Sequence, residues 1–168
     1  LAELQVHLMK RGQWLPLDPP GADRLSIGEL MSTNANGPRR YGYGTARDYV
    51  IGMKVALADG RVIKVGGKVV KNVAGYDLCK LFIGSRGTLG VIVEATFKLT
   101  PVPETEHFVQ AEFGSIKGAG EFLEAVVASD LTPVVFDLHN CPSLDPQPST
   151  HFTVVLGFAG AREDVDFH

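Results

Sequence analysis

The sequence GGKVVKNVAGYDLCKLFIGSRGTLGVI, residues 66–92, combines glycines and basic residues in one segment bounded by apolar runs. Glycine lacks a Cβ atom and adopts positive φ angles, so it lets backbone N–H groups approach a ligand closely. Consecutive N–H groups in such turns form concave anion-binding sites. The last part, Gly87 to Gly90 followed by Val91 and Ile92, is typical of a loop that leads into a buried strand. The segment therefore predicts a binding site for an anionic ligand.

A second motif lies upstream and supports the same interpretation. It begins with Ser26, Ile27 and Gly28 and continues with TNANGPRRYG over residues 33–42. Together the two motifs resemble the FAD-binding domain of the vanillyl-alcohol oxidase/p-cresol methylhydroxylase (PCMH-type) flavoproteins. Within that superfamily, the sequences GPRR, RDYVIG and residues 66–92 are most similar to the FAD-binding subunit of bacterial glycolate oxidase. The D-lactate dehydrogenases come next, and the resemblance covers about residues 1–103.

The resemblance implies FAD as the cofactor and assigns its contacts to three groups of residues. The turn that starts at Ser26 would lie along the flavin and its ribityl chain, and the second group follows in the upstream motif. The loop and strand after residue 83 would hold the adenosine half of FAD through backbone atoms. The implied cofactor residues are Ser26, Gly28, Asn34, Gly37, Arg40, Tyr41, Gly42, Gly84, Ser85, Gly87, Thr88, Gly90, Val91 and Ile92.

The residues around Ser26 predict the start of a helix. Ser26 is a suitable N-cap, Glu29 has the spacing of its capping-box partner, and the helix is expected from Ile27 to about Asn34. Free N–H groups and the positive end of the helix dipole at such a start attract phosphate or the electron-rich edge of a flavin. The family commonly has a second glycine where this chain has Glu29, whose carboxylate repels a pyrophosphate unless capping engages it.

Two basic residues are candidates for contact with a substrate carboxylate. Arg39, beside Arg40, offers a fork of N–H donors that suits carboxylate or phosphate groups, and Lys71 lies in the glycine-rich segment. Each has a simpler explanation, because lysines and arginines are mostly solvated surface residues. Both interpretations stay open for Arg39 and for Lys71. No residue is identified as a catalytic base, so the catalytic residues are unknown at this stage.

Hydrophobic patterns and turn residues predict the first part of an α+β fold. A helix is expected over residues 1–11, a hairpin around Asp59 and Gly60, and a strand over residues 91–99. Pro101 and Pro103 then predict a domain boundary. We interpret residues 1–103 as the second half, the C-terminal part, of a PCMH-type FAD-binding domain.

The pattern changes after the boundary. It predicts a strand, a helix over residues 115–129, two more strands and the start of a second helix. The predicted helix places Phe122, Leu123, Val126 and Val127 on one side. This β-α-β-β-α order is most of a ferredoxin-like unit. Residues 104–168 are therefore expected to form the start of a ferredoxin-like cap or substrate domain.

Composition agrees with a globular α/β protein and excludes several other classes. Hydrophobic residues make up 45% and charged residues 21% of the 168 residues, and the net charge of −3 gives no case for nucleic-acid binding. Cys79 and Cys141 have no metal or redox spacing, and the five histidines are scattered, so no metal site is expected. No apolar run approaches the roughly 20 residues that cross a bilayer. The expected location is cytoplasmic, or peripheral at the inner membrane through a complex.

These features predict an FAD-dependent oxidoreductase subunit that oxidises a small 2-hydroxy acid, of the glycolate or D-lactate type, by hydride transfer to the flavin. The alternative is a non-catalytic subunit that holds FAD or assists assembly of a glycolate oxidase complex with other subunits. A reductase of cell-wall precursor synthesis is disfavoured, because KNVAGYDL is more similar to the hydroxy-acid group. The family's main pyrophosphate-binding loop precedes the matched region, so we expect a fragment that binds little or no flavin alone.

Overall fold

A computed structural model of the chain describes residues 1–67, 77–140 and 151–167. The chain divides into two compact units, Leu1–Val102 and Pro103–His168. Both units mix helices and strands, which confirms the predicted α+β fold class. The predicted substrate residue Lys71 lies outside the described residues.

The first unit is built from short elements. In chain order, those in its described residues are α1 (Ala2–Met9), β1 (Gln13–Trp14), α2 (Ile27–Thr33), α3 (Arg40–Tyr43), α4 (Ala46–Tyr49), β2 (Val50–Ala56), β3 (Val62–Gly66), α5 (Cys79–Phe82), β4 (Val91–Phe97) and β5 (Thr100–Pro101). Strands β3, β2 and β4 form an antiparallel sheet in that order. The hairpin predicted at Asp59 and Gly60 joins β2 to β3, as expected.

A two-stranded pairing between β1 and β5 is missing from the sequence-based interpretation. Trp14 pairs with Thr100 and Gln13 with Pro101, in antiparallel register. Proline has no N–H to donate, so it is tolerated in such an edge position. Pro101 therefore belongs to the first unit, and the division between the units falls after Val102.

The core of the first unit ties the candidate site to the sheet. Leu15, Leu30, Val55 and Ile83 are completely buried. They come from the segment after β1, from α2, from β2 and from the residue after α5, and they pack in one cluster. Because burial of apolar side chains is the main stabilising term in folding, this cluster fixes α2 and the loop after α5 against the same sheet.

The second unit consists of β6 (Thr105–Phe113), α6 (Ile116–Ala128), β7 (Val135–His139), β8 (Phe152–Gly160) and α7 (Arg162–Phe167). Strand β8 lies between β6 and β7 and is antiparallel to both. The predicted β-α-β-β-α order is thus confirmed. One detail is wrong: Val127 is 66% exposed, whereas Val126 is buried, because one residue of helix turns the side chain by about 100°.

Candidate functional site

Helix α2 begins as the sequence predicts. The Oγ atom of Ser26 accepts a hydrogen bond from the Glu29 N–H at 3.1 Å, which confirms the N-cap. A complete capping box forms at α4 instead, where the Thr45 N–H donates to the Asp48 carboxylate at 2.8 Å. A Cβ atom added to Gly28 would meet no atom within 4 Å. The first turn of α2 is therefore open on the side of Gly28.

The other end of α2 meets the loop that follows α5. The N–H of Gly84 donates to the Met31 carbonyl at 2.9 Å, and the N–H of Arg86 donates to the Ser32 carbonyl at 2.7 Å. Asn34 ends the helix in the left-handed conformation, with φ of 52°, and a Cβ on Gly84 would lie 3.6 Å from its Cβ. Asn34 and Gly84, distant in sequence, are thus brought together. We call this contact between residues 31–36 and 83–86 the helix–loop junction.

The helix–loop junction contains two buried acceptors. The Oδ1 atoms of Asn34 and Asn36 are shielded from solvent and have no hydrogen-bond partner among the described residues. Leaving a buried acceptor unsatisfied costs about 1–3 kcal/mol, and such groups in native proteins call for an explanation. A ligand that carries N–H or O–H donors would satisfy them.

The turn after the junction is held by Asp18. A Cβ on Gly37 would collide with the backbone oxygen of Asp18, and the N–H of Arg39 donates to Asp18 Oδ2 at 3.1 Å. Burial raises the pKa of Asp18, although the N–H and the guanidinium of Arg39 act in the opposite direction. Gly37 is therefore required by close packing against the chain itself.

Arg39 packs on an aromatic cluster that sequence reasoning missed. Its guanidinium carbon lies 4.9 Å from the centre of the Trp14 ring, and Trp14 meets Tyr43 edge-on at 5.3 Å. The hydroxyl of Tyr49 donates to the Tyr43 carbonyl at 2.8 Å. A cation over an aromatic face is attracted by the ring's electron density. The cluster consequently gives Arg39 a structural role beside the proposed contact with substrate.

The residues after Arg39 form α3 rather than an irregular loop. Arg40, Tyr41 and Gly42 lie within this single turn, and Tyr41 is 53% exposed. Gly44 ends the turn with φ of 83°. These implied cofactor residues thus lie on a short helical turn that directly follows Gly37 and Arg39, the two residues in contact with Asp18.

The loop before β4 shows two kinds of glycine. Arg86 and Gly87 have positive φ angles of 52° and 78°, and a Cβ on Gly87 would meet nothing within 4 Å. On Gly90, a Cβ would lie 2.6 Å from Val55 Cγ1 and 2.8 Å from the Ala56 carbonyl oxygen. Gly90 is thus explained by packing of the loop against β2, whereas Gly87 leaves its backbone accessible.

The remaining implied residues lie at the sides of this loop. The Ser85 carbonyl accepts from the N–H and from the Oγ1 of Thr88, at 3.0 and 2.7 Å. Val91 opens β4 and is 65% exposed, while Ile92 packs against the core. The side chain of Thr88 is therefore engaged within the turn, so backbone atoms of this loop would make the contacts with a ligand.

Few described side chains are placed for acid–base catalysis or for binding a metal ion. Within residues 1–67, 77–140 and 151–167, no group of three or more His, Cys, Asp or Glu side chains is placed to hold a metal ion. Burial, followed by the nearby Asp77 charge, raises the pKa of the Cys79 thiol, which disfavours a reactive thiolate. In the second unit, His139 Nδ1 lies 3.5 Å from Asp137 Oδ2, with both side chains partly exposed.

No helix in the described part of the chain has the length and apolar character of a membrane span.

Comparison with known proteins identifies the class of the first unit. Residues 1–66 match a family model described as an FAD binding domain. The match is therefore to an FAD-binding domain over this part of the chain, and FAD is the cofactor that it indicates. This confirms the resemblance on which the sequence analysis rests.

Particular relatives fall in the hydroxy-acid group. The chain is 41% identical over 134 residues to the glycolate oxidase subunit GlcD of Bacillus subtilis, covering 80% of this chain and 28% of that protein. It is 35% identical over 125 residues to the glycolate oxidase subunit GlcE of Escherichia coli, covering 74% of this chain and 36% of that protein. D-lactate dehydrogenases are also relatives, among them the mitochondrial protein of Arabidopsis thaliana. The chain thus spans about a fifth to a third of the length of these relatives.

A solved structure shares the fold over nearly the whole chain. Alkyldihydroxyacetonephosphate synthase matches with a TM-score of 0.79, covering 99% of this chain and 34% of that chain. The sequence identity is 23%, so the likeness concerns the fold alone.

The described residues fit FAD. The open space beside Gly28 and Gly87, where an added Cβ would meet no atom within 4 Å, permits close approach of a ligand. The buried side-chain oxygens of Asn34 and Asn36 could accept hydrogen bonds from FAD. Ser26 and Asn34 lie at opposite ends of α2, about 12 Å apart at 1.5 Å per residue. An extended dinucleotide is long enough to contact both ends.

Proposed function

We propose that this chain supplies FAD-binding residues to a flavoprotein that oxidises a small 2-hydroxy acid of the glycolate or D-lactate type. The relatives in the glycolate oxidase and D-lactate dehydrogenase groups support this substrate class. The observation that carries the proposal is the helix–loop junction, where backbone hydrogen bonds bring two implied groups of FAD contacts together. The bound flavin would accept the hydride from the substrate's α-carbon.

The residues of the chain would act by binding and orientation. We assign FAD contact to the open backbone at Ser26, Gly28 and Gly87, to Asn34, and to the turn Arg40–Tyr43. Backbone atoms of residues 84–92 would hold the adenosine half. For Gly37 and Gly90 the close contacts with Asp18 and with Val55 support a packing role that shapes these turns.

We further propose that Arg39 contacts the carboxylate of the substrate. Its backbone is fixed by Asp18 and its guanidinium is steered by the Trp14 ring, so the arginine is positioned before an anion arrives. Such pre-organisation lowers the entropy that binding would otherwise cost. The same role is proposed for Lys71, on the resemblance alone.

A second candidate is a non-catalytic subunit that holds FAD or assists assembly. The relationship to GlcE, which is named as a subunit, supports this alternative, and so would partnership with other glycolate oxidase subunits. In either case we propose a cytoplasmic protein, or one held at the inner membrane through a complex. The buried free thiol of Cys79 fits such a reducing compartment.

The test uses the natural full-length polypeptide that contains this chain, purified alone and reconstituted with FAD. Flavin absorbance after gel filtration measures binding, and reduction of an artificial electron acceptor measures turnover with glycolate and with D-lactate. Stoichiometric flavin with turnover supports the oxidoreductase. Flavin without turnover until other subunits are added supports the non-catalytic alternative, and absence of flavin would refute both. The chain of 168 residues alone is expected to bind FAD more weakly.

A further inference from the structure

Asn36 has a buried side-chain oxygen that no described residue contacts through a hydrogen bond. It was not among the residues implied by the resemblance, yet its Oδ1 is shielded from solvent and has no partner in the described part of the chain. Its Nδ2 donates to the backbone carbonyl of Asn34. This bond fixes the amide, so that Oδ1 is left as a pre-oriented acceptor.

Three donors near the helix–loop junction are already engaged. The N–H groups of Gly84 and Arg86 donate to carbonyls of α2. The Nη2 atom of Arg47, which would lie 3.7 Å from a Cβ on Gly84, donates to the Ile83 carbonyl at 3.0 Å. Within residues 1–67, 77–140 and 151–167, these engaged groups therefore leave Asn36 Oδ1 without a donor, and a bound ligand could supply one.

We propose that Asn36 is a further FAD contact, whose Oδ1 accepts a hydrogen bond from an N–H or O–H group of the cofactor. This rests on the proposed function, because it takes FAD as the ligand. Donors of this chemistry occur on both halves of FAD: the ring N3–H and the ribityl hydroxyls on one, the adenine amino group and ribose hydroxyls on the other. The experiment has to separate these two sources.

Two variants of similar size isolate the acceptor. Asn36→Asp and Asn36→Leu both lose the amide that donates to Asn34, and only Asn36→Asp keeps side-chain oxygens. Thr33→Val is the matched control, because the Thr33 hydroxyl already donates to the Glu29 carbonyl at 2.6 Å and lies at the same end of α2. Each variant is made in the natural full-length polypeptide, and its dissociation constants for FAD, riboflavin and ADP are measured by fluorescence and calorimetry.

We expect Asn36→Leu to weaken FAD binding about tenfold, the loss that corresponds to one hydrogen bond. Asn36→Asp should bind riboflavin, which is uncharged, within about threefold of the unsubstituted protein, and Thr33→Val should not differ from it. If the weakening by Asn36→Leu appears with riboflavin, the donor belongs to the flavin half. If it appears with ADP, the donor belongs to the adenosine half.

Three results would overturn the proposal. Unchanged FAD affinity in Asn36→Leu would remove Asn36 from the contacts and leave the proposed function standing. Equal weakening in Asn36→Leu and Asn36→Asp would assign the effect to the lost bond with Asn34. Absence of binding by the unsubstituted protein would refute the proposed function as well. If Asn36→Leu does not fold, NMR of the unsubstituted protein provides the test. A contact with FAD requires the side-chain amide resonances of Asn36 to shift when riboflavin or ADP is added, and unchanged resonances would overturn the proposal.

Discussion

Helices α2 and α6 begin alike and end differently. Ser26 and Ser115 each cap their helix by accepting an N–H three residues later, both at 3.1 Å, and each helix carries a glycine whose Cβ would meet nothing within 4 Å, Gly28 and Gly120. Helix α6 ends at Ser129, whose hydroxyl donates to the Val126 carbonyl at 2.7 Å. Helix α2 ends at Asn34, whose buried oxygen lacks a partner in the described chain.

The different ends of α2 and α6 distinguish polar groups that stabilise the fold from polar groups that are left for a ligand. At the end of α6 the Ser129 hydroxyl forms local hydrogen bonds with Val126 and Leu131, and the apolar side of the helix packs on the sheet of its own unit. The end of α2 has local hydrogen bonds to residues 84–86 and still retains acceptors. Buried polar groups normally have hydrogen-bond partners, so this contrast indicates that a ligand would bind at α2 rather than at α6.

The largest expected effect comes from the turn after α2. Gly37→Ala places a Cβ against the backbone and carboxylate of Asp18, and overpacking of this kind costs about 1–3 kcal/mol. Gly114→Ala, in the turn before α6, meets open space and should leave stability nearly unchanged. Urea unfolding of the two variants measures the difference. Equal stabilities would show that Asp18 moves away freely.

The second prediction concerns the two helix ends. Asn34 has a positive φ, whereas Ser129 is extended, with φ of −89°. Asn34→Ala should therefore be about 1 kcal/mol less stable than Asn34→Gly, because a left-handed residue with a Cβ is strained. At position 129 alanine should be at least as stable as glycine, which loses more conformational freedom on folding. Thermal unfolding of the four variants measures whether the order of stability of alanine and glycine is reversed between positions 34 and 129. The same order at both positions would contradict the prediction.

The third prediction uses pH. Burial raises the pKa of Asp18, so its contribution to stability is fully present below the unfolded pKa of about 3.9 and is lost as pH rises through the higher folded pKa. Asn keeps an oxygen that can accept the Arg39 N–H. Asp18→Asn should consequently gain stability relative to the unsubstituted protein as pH rises from about 3.5 to 7.

Asp59 provides the control with the opposite sign. The Arg61 backbone N–H, followed by the Arg61 side chain, lowers the pKa of Asp59. Its contribution is present above the unfolded pKa and is lost as pH falls through the lower folded pKa. Asp59→Asn should therefore lose stability relative to the unsubstituted protein over the same rise in pH. Parallel curves for the two variants would contradict the assignment at Asp18.

Local signals in the sequence predicted much of this fold. The N-cap of α2, the hairpin at Asp59 and Gly60, and the strand and helix order of the second unit each depend on neighbouring residues. The contacts of Asp18 with Gly37 and of Trp14 with Arg39 could not be predicted in this way, because each joins residues 19 or 25 positions apart in the sequence. Pairing of β1 with β5 spans still more of the chain. The family resemblance supplied FAD, and the unused oxygen of Asn36 became visible only in the fold.

The smallest expected effect tests the comparison at the helix starts. Alanine is a better helix former than glycine by up to about 1 kcal/mol, and both Gly28 and Gly120 have room for a Cβ. Gly28→Ala and Gly120→Ala should therefore each stabilise the protein slightly, as measured by urea unfolding without flavin. If FAD approaches the backbone of α2, Gly28→Ala alone should weaken its binding, because the added methyl group occupies the approach. Unchanged FAD affinity in both variants would place the cofactor away from the start of α2 and leave Gly28 without a functional reason.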